Sequence, residues 1–268
     1  MTATAPPAPT APGVRSWWGI PYATAERYRR PVLAAFDPER VYDRKGVVRG
    51  GRDNQAMGVV LDTEQPAGVL HAHPLDVLAS GTHRDVDVLL SMASDDMGWW
   101  VANDLDRFDP HTVDRVIDEA AGRRVPRSRA QKFVGAYDQG GRTPAEVRSA
   151  VLSDYIHGLP AVRGTVAHAA AGGNAHLLVI GPAEGAPAVH GSEMYVLVGQ
   201  ERPGRSAEQA ERDTRITGML FDFATGDHTR LWPAVSGRPI AESVGHVPFD
   251  AGAHYQAALD LFQNIPRP

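Results

Sequence analysis

The chain has 268 residues, 43% of them hydrophobic, a formal net charge of -5 and no cysteine. That length can bury one substantial core, and the scattered basic residues form no stripe that would neutralise a nucleic-acid backbone or an anionic membrane, so neither is an expected partner. The lack of cysteine excludes disulfides, thiolate metal sites and a cysteine nucleophile, and leaves the redox compartment open. The opening run MTATAPPAPTAPG lacks a basic n-region and an apolar h-region. It reads as a flexible Pro/Ala-rich tail over residues 1–13, with a cytoplasmic location as the default. No apolar stretch approaches the ~20 residues that span a bilayer.

One domain is expected over 14–268. The cluster Trp17-Trp18-Gly19-Ile20-Pro21-Tyr22-Ala23 suits a short strand running into a turn, and the charged, Gly-rich stretch from Asp37 to Gln55 suits a surface connection. Val86 to Met92 alternates and then turns apolar before the polar ASDDMG, which predicts a buried strand opening onto a loop. Pro110 precedes a helical pattern with Val113, Val116 and Ile117 on one face and Gly122 as its stop. A second helix starts at Thr143, where Thr143 is suited to N-cap, Pro144 to the first turn and Glu146 to a capping box. A third runs from about Pro160 to Ala171 and stops at Gly172-Gly173. His176 to Gly181 reads as another buried strand, and the helix-to-strand order predicts a parallel sheet. Helices from Ser206 to Phe223 and from Gln256 to Phe262 complete the chain.

These segments together resemble the type-B carboxylesterases and cholinesterases. The opening VRSWWGIPYATAERYRRP resembles the family's N-terminal strand, with Arg27-Tyr28 as its Arg-aromatic pair. HPLDVLASGTHRDVDVLLSMASDDMGWWV is similar to the strand leading to the acid member of the family's triad, and VLSDYIHGLPAVRGTVAHAAAGG to the helices after it. VHGSEMYVLVG resembles the loop bearing the catalytic histidine, and MLFDFATGDHTRLWPAV the C-terminal helix with its Trp-Pro turn. The resemblance implies an α/β class: a reduced α/β-hydrolase-like fold with a small, mainly parallel sheet flanked by helices.

The departure from the family is as informative. Between the GIPYA strand and the acid strand the family holds its central sheet, a glycine-rich oxyanion loop and the nucleophile elbow. Here that interval is a few dozen residues, and the sequence contains no G-x-S-x-G and no HGGG-type run. The elbow is the strained turn that exposes a serine oxygen beside backbone N–H donors, so both nucleophile and oxyanion hole are expected to be missing.

By the resemblance, His190 stands where the family has its catalytic histidine and Asp96 where it has its acid. A carboxylate on one ring nitrogen fixes the imidazole tautomer and leaves the other nitrogen to move a proton, so the pair can serve as a general acid/base without a covalent intermediate. The alternative is that both residues are relics within a packed core. Asp95 stands beside Asp96, and burying both as ions is costly, so one of the two is expected to face water or an Arg. Trp99 and Trp100 are candidates to line a pocket for a flat apolar substrate, with core packing as the alternative. Tyr22, Tyr155 and Tyr195 are candidate hydroxyl donors to a substrate carbonyl. His71, His73, Asp76 and His83 imitate a metal-ligand spacing, but the resemblance implies no metal there, and no cofactor is expected. Neither Gly50-Gly51 nor Gly172-Gly173 sits in a phosphate-binding frame.

Three functions remain open at this stage. One is an enzyme that has left hydrolysis for cyclisation, elimination or isomerisation of a hydrophobic small metabolite. Another is a binding or interaction protein that keeps the fold. The third is an ester hydrolase with a relocated or partner-supplied serine, for which Ser91, Ser94 and Ser192 lie nearest the motif loops. A truncated parallel sheet exposes an edge, so a homo-oligomer is expected.

Overall fold

The computed structural model describes residues 23–24, 32–33, 72–104, 108–122, 125–197, 204–227 and 230–265. The chain divides into two units, Met1–Val60 and Leu61–Pro268. In the first, β1 (Ala23–Thr24) pairs antiparallel with β2 (Val32–Leu33). The cluster from Trp17 to Tyr22 and the connection from Asp37 to Gln55 lie outside the described residues.

The second unit is built on a three-stranded sheet in the order β3 (Val88–Ala93), β4 (Ala175–Ile180), β5 (Ala241–Val244). Both pairings are parallel, with Val88 opposite Ala175, Ala93 opposite Ile180, and Leu177 opposite Ala241. Helices flank the sheet, so this is the small, mainly parallel, reduced α/β-hydrolase-like arrangement that the motif order implied.

All six residues of β4 are buried, and period-2 alternation sends them to two different cores. Leu177 and Val179 join a large cluster with Val116, Phe133, Val147, Leu159, Tyr255 and Phe262. Leu178 and Ile180 join a smaller one with Ile216 and Val244. The larger cluster is supplied by α3 (Val113–Gly122), α4 (Arg127–Tyr137), α5 (Pro144–Leu152), α6 (Leu159–Ala170) and α9 (Ala251–Leu261). The smaller one is covered by α7 (Met194–Leu197), through Val196, and by α8 (Ala207–Ala224), through Ile216. Full burial of each large aliphatic side chain stabilises by about 1.5–3 kcal/mol.

β3 departs from its expected burial. Only Met92 and Ala93 are buried, and Ser91 is exposed. The reason is position: among the described residues β3 pairs with β4 alone and forms an edge of the sheet.

Local signals decide several boundaries. α5 opens with the expected capping box, in which the Thr143 side chain accepts from the Glu146 N–H and the Glu146 carboxylate accepts from the Thr143 N–H at 2.7 Å. That backbone bond holds the Glu146 carboxyl below its ordinary range. The helix does not stop at Leu152. It widens into a π-helical segment, Ser153–Gly158, and continues directly into α6. Pro160 lies in the first turn of α6. A proline there has no N–H to bond the carbonyl four residues back, and the π turn absorbs that break without ending the helix. Gly158 is required at the junction, because a Cβ would lie 2.9 Å from Tyr255 Cε1 and 3.2 Å from Asp154 Oδ1. Among the described residues, no helix is long and apolar enough to cross a membrane.

Candidate active site

In a parallel sheet, the loops that leave neighbouring strands emerge at the same end, and functional groups collect in the crevice there. β3 and β4 are such neighbours. Asp96 follows three residues after β3, and His190 ten residues after β4. The longer loop folds back on itself where Ala183 and Ala186 exchange backbone hydrogen bonds around Gly185, which has a φ of +70°. The two loops then run together. Ser94 N–H donates to Ile180 O at 2.8 Å, Asp95 N–H to Ala188 O at 3.1 Å, and His190 N–H to Asp96 O at 3.1 Å.

The result is a contact between residues 94 apart in sequence: His190 Nδ1 lies 3.0 Å from Asp96 Oδ1. The other carboxylate oxygen of Asp96 accepts the Ala93 N–H at 2.9 Å, which fixes the plane of the group. Asp96 is buried and His190 is open, with side-chain exposures of 6% and 72%. The hydrogen bond to Asp96 raises the His190 pKa above its ordinary value, and burial offsets only part of that rise.

A third group completes the cluster. The His157 ring, carried by the π-helical segment, lies 4.8 Å from the His190 ring centroid to centroid, tilted by 33°. Burial lowers the His157 pKa, and the Asp96 charge opposes this. Asp95 turns away from the dyad. The residue as a whole is exposed but its carboxylate packs on α5, where Oδ1 accepts from Ser149 Oγ at 2.5 Å; desolvation there raises its pKa, hydrogen bonds from Ser149 and Ser153 oppose the rise, and the Asp96 charge adds to it. Ser153 Oγ accepts the Met97 N–H at 2.9 Å and so ties the π-helical segment to the acid loop.

The other residues singled out in the sequence scatter. Trp99 and Trp100 lie in α2 (Gly98–Ala102) directly after the acid loop; Trp99 is 57% exposed, Trp100 half-buried. Tyr155 is a core residue, stacked on Phe262, and lines a cavity with Val116, Phe133, Val151 and Ile265 rather than the dyad crevice. Tyr22 and the side chain of Tyr195 lie outside the described residues. Ser192 spends its hydroxyl on its own loop, donating to Val189 O at 2.5 Å and accepting the Val189 N–H at 2.9 Å. Ser91 is exposed on β3, and Ser94 is half-buried at the start of the acid loop. His73 caps α1 (Pro74–Ser80) by accepting the Leu75 N–H at 3.2 Å, His83 is exposed, and His71 is outside the described residues.

His157, Ser149 and Ser153 are not among the residues that the sequence singles out. Neither is Asp154: it is buried, and its Oδ2 accepts from Tyr137 Oη at 2.5 Å and lies 2.7 Å from His254 Nε2.

No protein-family model matches the chain, and a search of curated proteins finds no match. Among solved structures it is similar to a carboxylesterase of Geobacillus stearothermophilus, with a TM-score of 0.56 and 18% identity. The alignment covers 71% of this chain and 43% of the esterase, so the chain spans less than half the length of that enzyme. At this identity the likeness shows the fold alone: the described strands and helices adopt a reduced α/β-hydrolase-like fold that matches part of that carboxylesterase's fold.

Proposed function

We propose that the chain is a carboxylesterase-derived enzyme in which His190 and Asp96 act as a general acid/base dyad, converting a hydrophobic small metabolite by cyclisation, elimination or isomerisation. The observation that carries this reading is the pairing of an exposed imidazole with a buried, oriented carboxylate at 3.0 Å. With Nδ1 turned to Asp96, Nε2 is the atom that takes or returns a proton, and Asp96 stabilises the imidazolium that forms. A pure packing role favours a buried imidazole, whereas this one opens to solvent. Apolar groups flank the two loops: Trp99 follows Asp96, and Met194 and Leu197, 54% and 53% exposed, follow His190. Exposed apolar side chains of this size beside a proton-transfer group suit an apolar substrate.

The test uses 5-nitrobenzisoxazole, a flat apolar compound that a general base opens by taking one carbon-bound proton. The protein should accelerate this opening, His190→Ala should lower the rate by about 100-fold, and Asp96→Asn by roughly tenfold or more. Equal rates for the wild type and His190→Ala would discard the acid/base reading in favour of binding alone. A parallel mass measurement after fluorophosphonate treatment addresses hydrolysis. A covalent adduct on a serine would restore the ester-hydrolase reading, and its absence from the folded protein would leave the proton-transfer reading in place.

We also propose that the chain self-associates through the edge of β3, since the strand pairs on one side only among the described residues and Ser91 on it is exposed. Small-angle scattering at micromolar concentration should return at least twice the monomer mass. A monomeric profile would end that idea.

A further inference from the structure

We propose that Asp96, His157 and His190 form a binding site for a divalent transition-metal ion of the zinc type, a departure from the metal-free site that the sequence suggested. One ligand atom from each residue lies within 4.8 Å of the others. Two atoms bound to one tetrahedral ion at about 2.0–2.2 Å each are separated by roughly 3.3 Å. His190 Nδ1 and Asp96 Oδ1, 3.0 Å apart, already hold nearly that spacing, so an ion can replace the proton they share. A His157 nitrogen stands within roughly 1.5 Å of that same spacing from both partners.

The donor set selects the ion. Two imidazole nitrogens and one carboxylate oxygen suit Zn²⁺, Co²⁺ or Ni²⁺, whereas Mg²⁺ and Ca²⁺ require oxygen ligands. The support is already in place: Ala93 N–H holds the second Asp96 oxygen, and the Ser153–Met97 bond anchors the segment carrying His157 to the acid loop. Three protein ligands on a cluster open at His190 leave a position for water, the pattern of reactive rather than closed structural zinc sites.

Binding of the ion is independent of the acid/base reading. Its consequence rests on that reading: an ion between Nδ1 and Oδ1 displaces the proton of the dyad, so the loaded protein should lose its acceleration of 5-nitrobenzisoxazole opening.

The deciding experiment is a Co²⁺ titration of the full chain after chelator treatment, followed by visible absorbance, with no substrate present. One equivalent of Co²⁺ should bind with ligand-field bands of an imidazole-bound ion, and Zn²⁺ should displace it. Affinity should fall roughly tenfold or more in His157→Ala and in His190→Ala, the second truncating a side chain that is 72% exposed. His111→Ala should leave it unchanged, since that imidazole is also exposed and lies 3.5 Å from a carboxylate, Asp109, outside the cluster. Circular dichroism confirms that each variant is folded. Undiminished Co²⁺ affinity in folded His157→Ala or His190→Ala, or the lack of saturable binding by the wild type, would overturn the proposal.

Discussion

Replacing Arg148 by Ala should lower the unfolding free energy by about 3–5 kcal/mol. Arg148 lies on α5 and is 1% exposed. Its Nε and Nη2 donate to the two oxygens of Glu119 on α3, at 2.8 and 2.9 Å, in a bidentate fork. The guanidinium also lies over the Phe108 ring, 4.3 Å from its centroid. Truncation therefore removes a planar two-bond contact and a cation–π contact, leaves a space the size of a long side chain, and takes the guanidinium away from a Glu119 carboxylate that is only 15% exposed. Lysine should recover little, because an ammonium cannot reproduce the fork. The double variant Arg148→Met/Glu119→Leu should recover more than half of the loss, since replacing both partners by apolar groups of similar volume removes the poorly solvated charge along with its partner. Urea denaturation of the four proteins measures this. A loss below about 1 kcal/mol in Arg148→Ala would mean that water reaches Glu119 and takes over the role of the guanidinium.

The sequence made different parts of this structure legible for different physical reasons. The start of α5 was readable because a capping box is a local device, complete within Thr143 to Glu146. β4 was readable because a strand buried on both faces is a continuous apolar run. α4 was overlooked because RSRAQKFVGAY looks polar, although its buried residues Ala130, Phe133, Val134 and Tyr137 have the i, i+3, i+4, i+7 spacing that should have exposed it. β5, four residues reading AESV, offers no periodicity long enough to detect.

The candidate site shows the same division. Asp96 and His190 were readable only through the resemblance, since no local pattern joins residues that meet by way of two adjacent parallel strands. His157 was hidden because the π turn adds a residue to the helical repeat, so a face drawn at 3.6 residues per turn rotates away from the true one. The exposed character of β3 was misjudged because an apolar run does not reveal how many neighbours a strand has.

Asp154→Ala should cost about 3 kcal/mol and Asp154→Asn about 1–2 kcal/mol, for reasons that follow from counting donors. Asp154 is buried in the π-helical segment, with Tyr137 from α4 donating at 2.5 Å and His254 from α9 at 2.7 Å to the same oxygen. Burial, and after it the Asp154 charge, pushes the Tyr137 pKa well above its ordinary value, so the hydroxyl stays protonated and remains a donor. Alanine leaves the buried Tyr137 hydroxyl and the half-buried His254 N–H without this acceptor, whereas asparagine keeps one carbonyl oxygen and can still receive one of them. At roughly 2–4 °C per kcal/mol, the alanine variant should melt about 6–12 °C below the wild type. A melting temperature within about 2 °C of the wild type in Asp154→Ala would show that Tyr137 and His254 find other acceptors. The site gives the measurement a second readout. Asp154 faces Tyr137 and His254, while Ser153 and His157 of the same turn face the acid loop and the His190 ring. A bond that holds one side of the π turn in place therefore also sets where His157 stands, and Asp154→Ala should weaken Co²⁺ binding even though Asp154 is not among the three ligand residues.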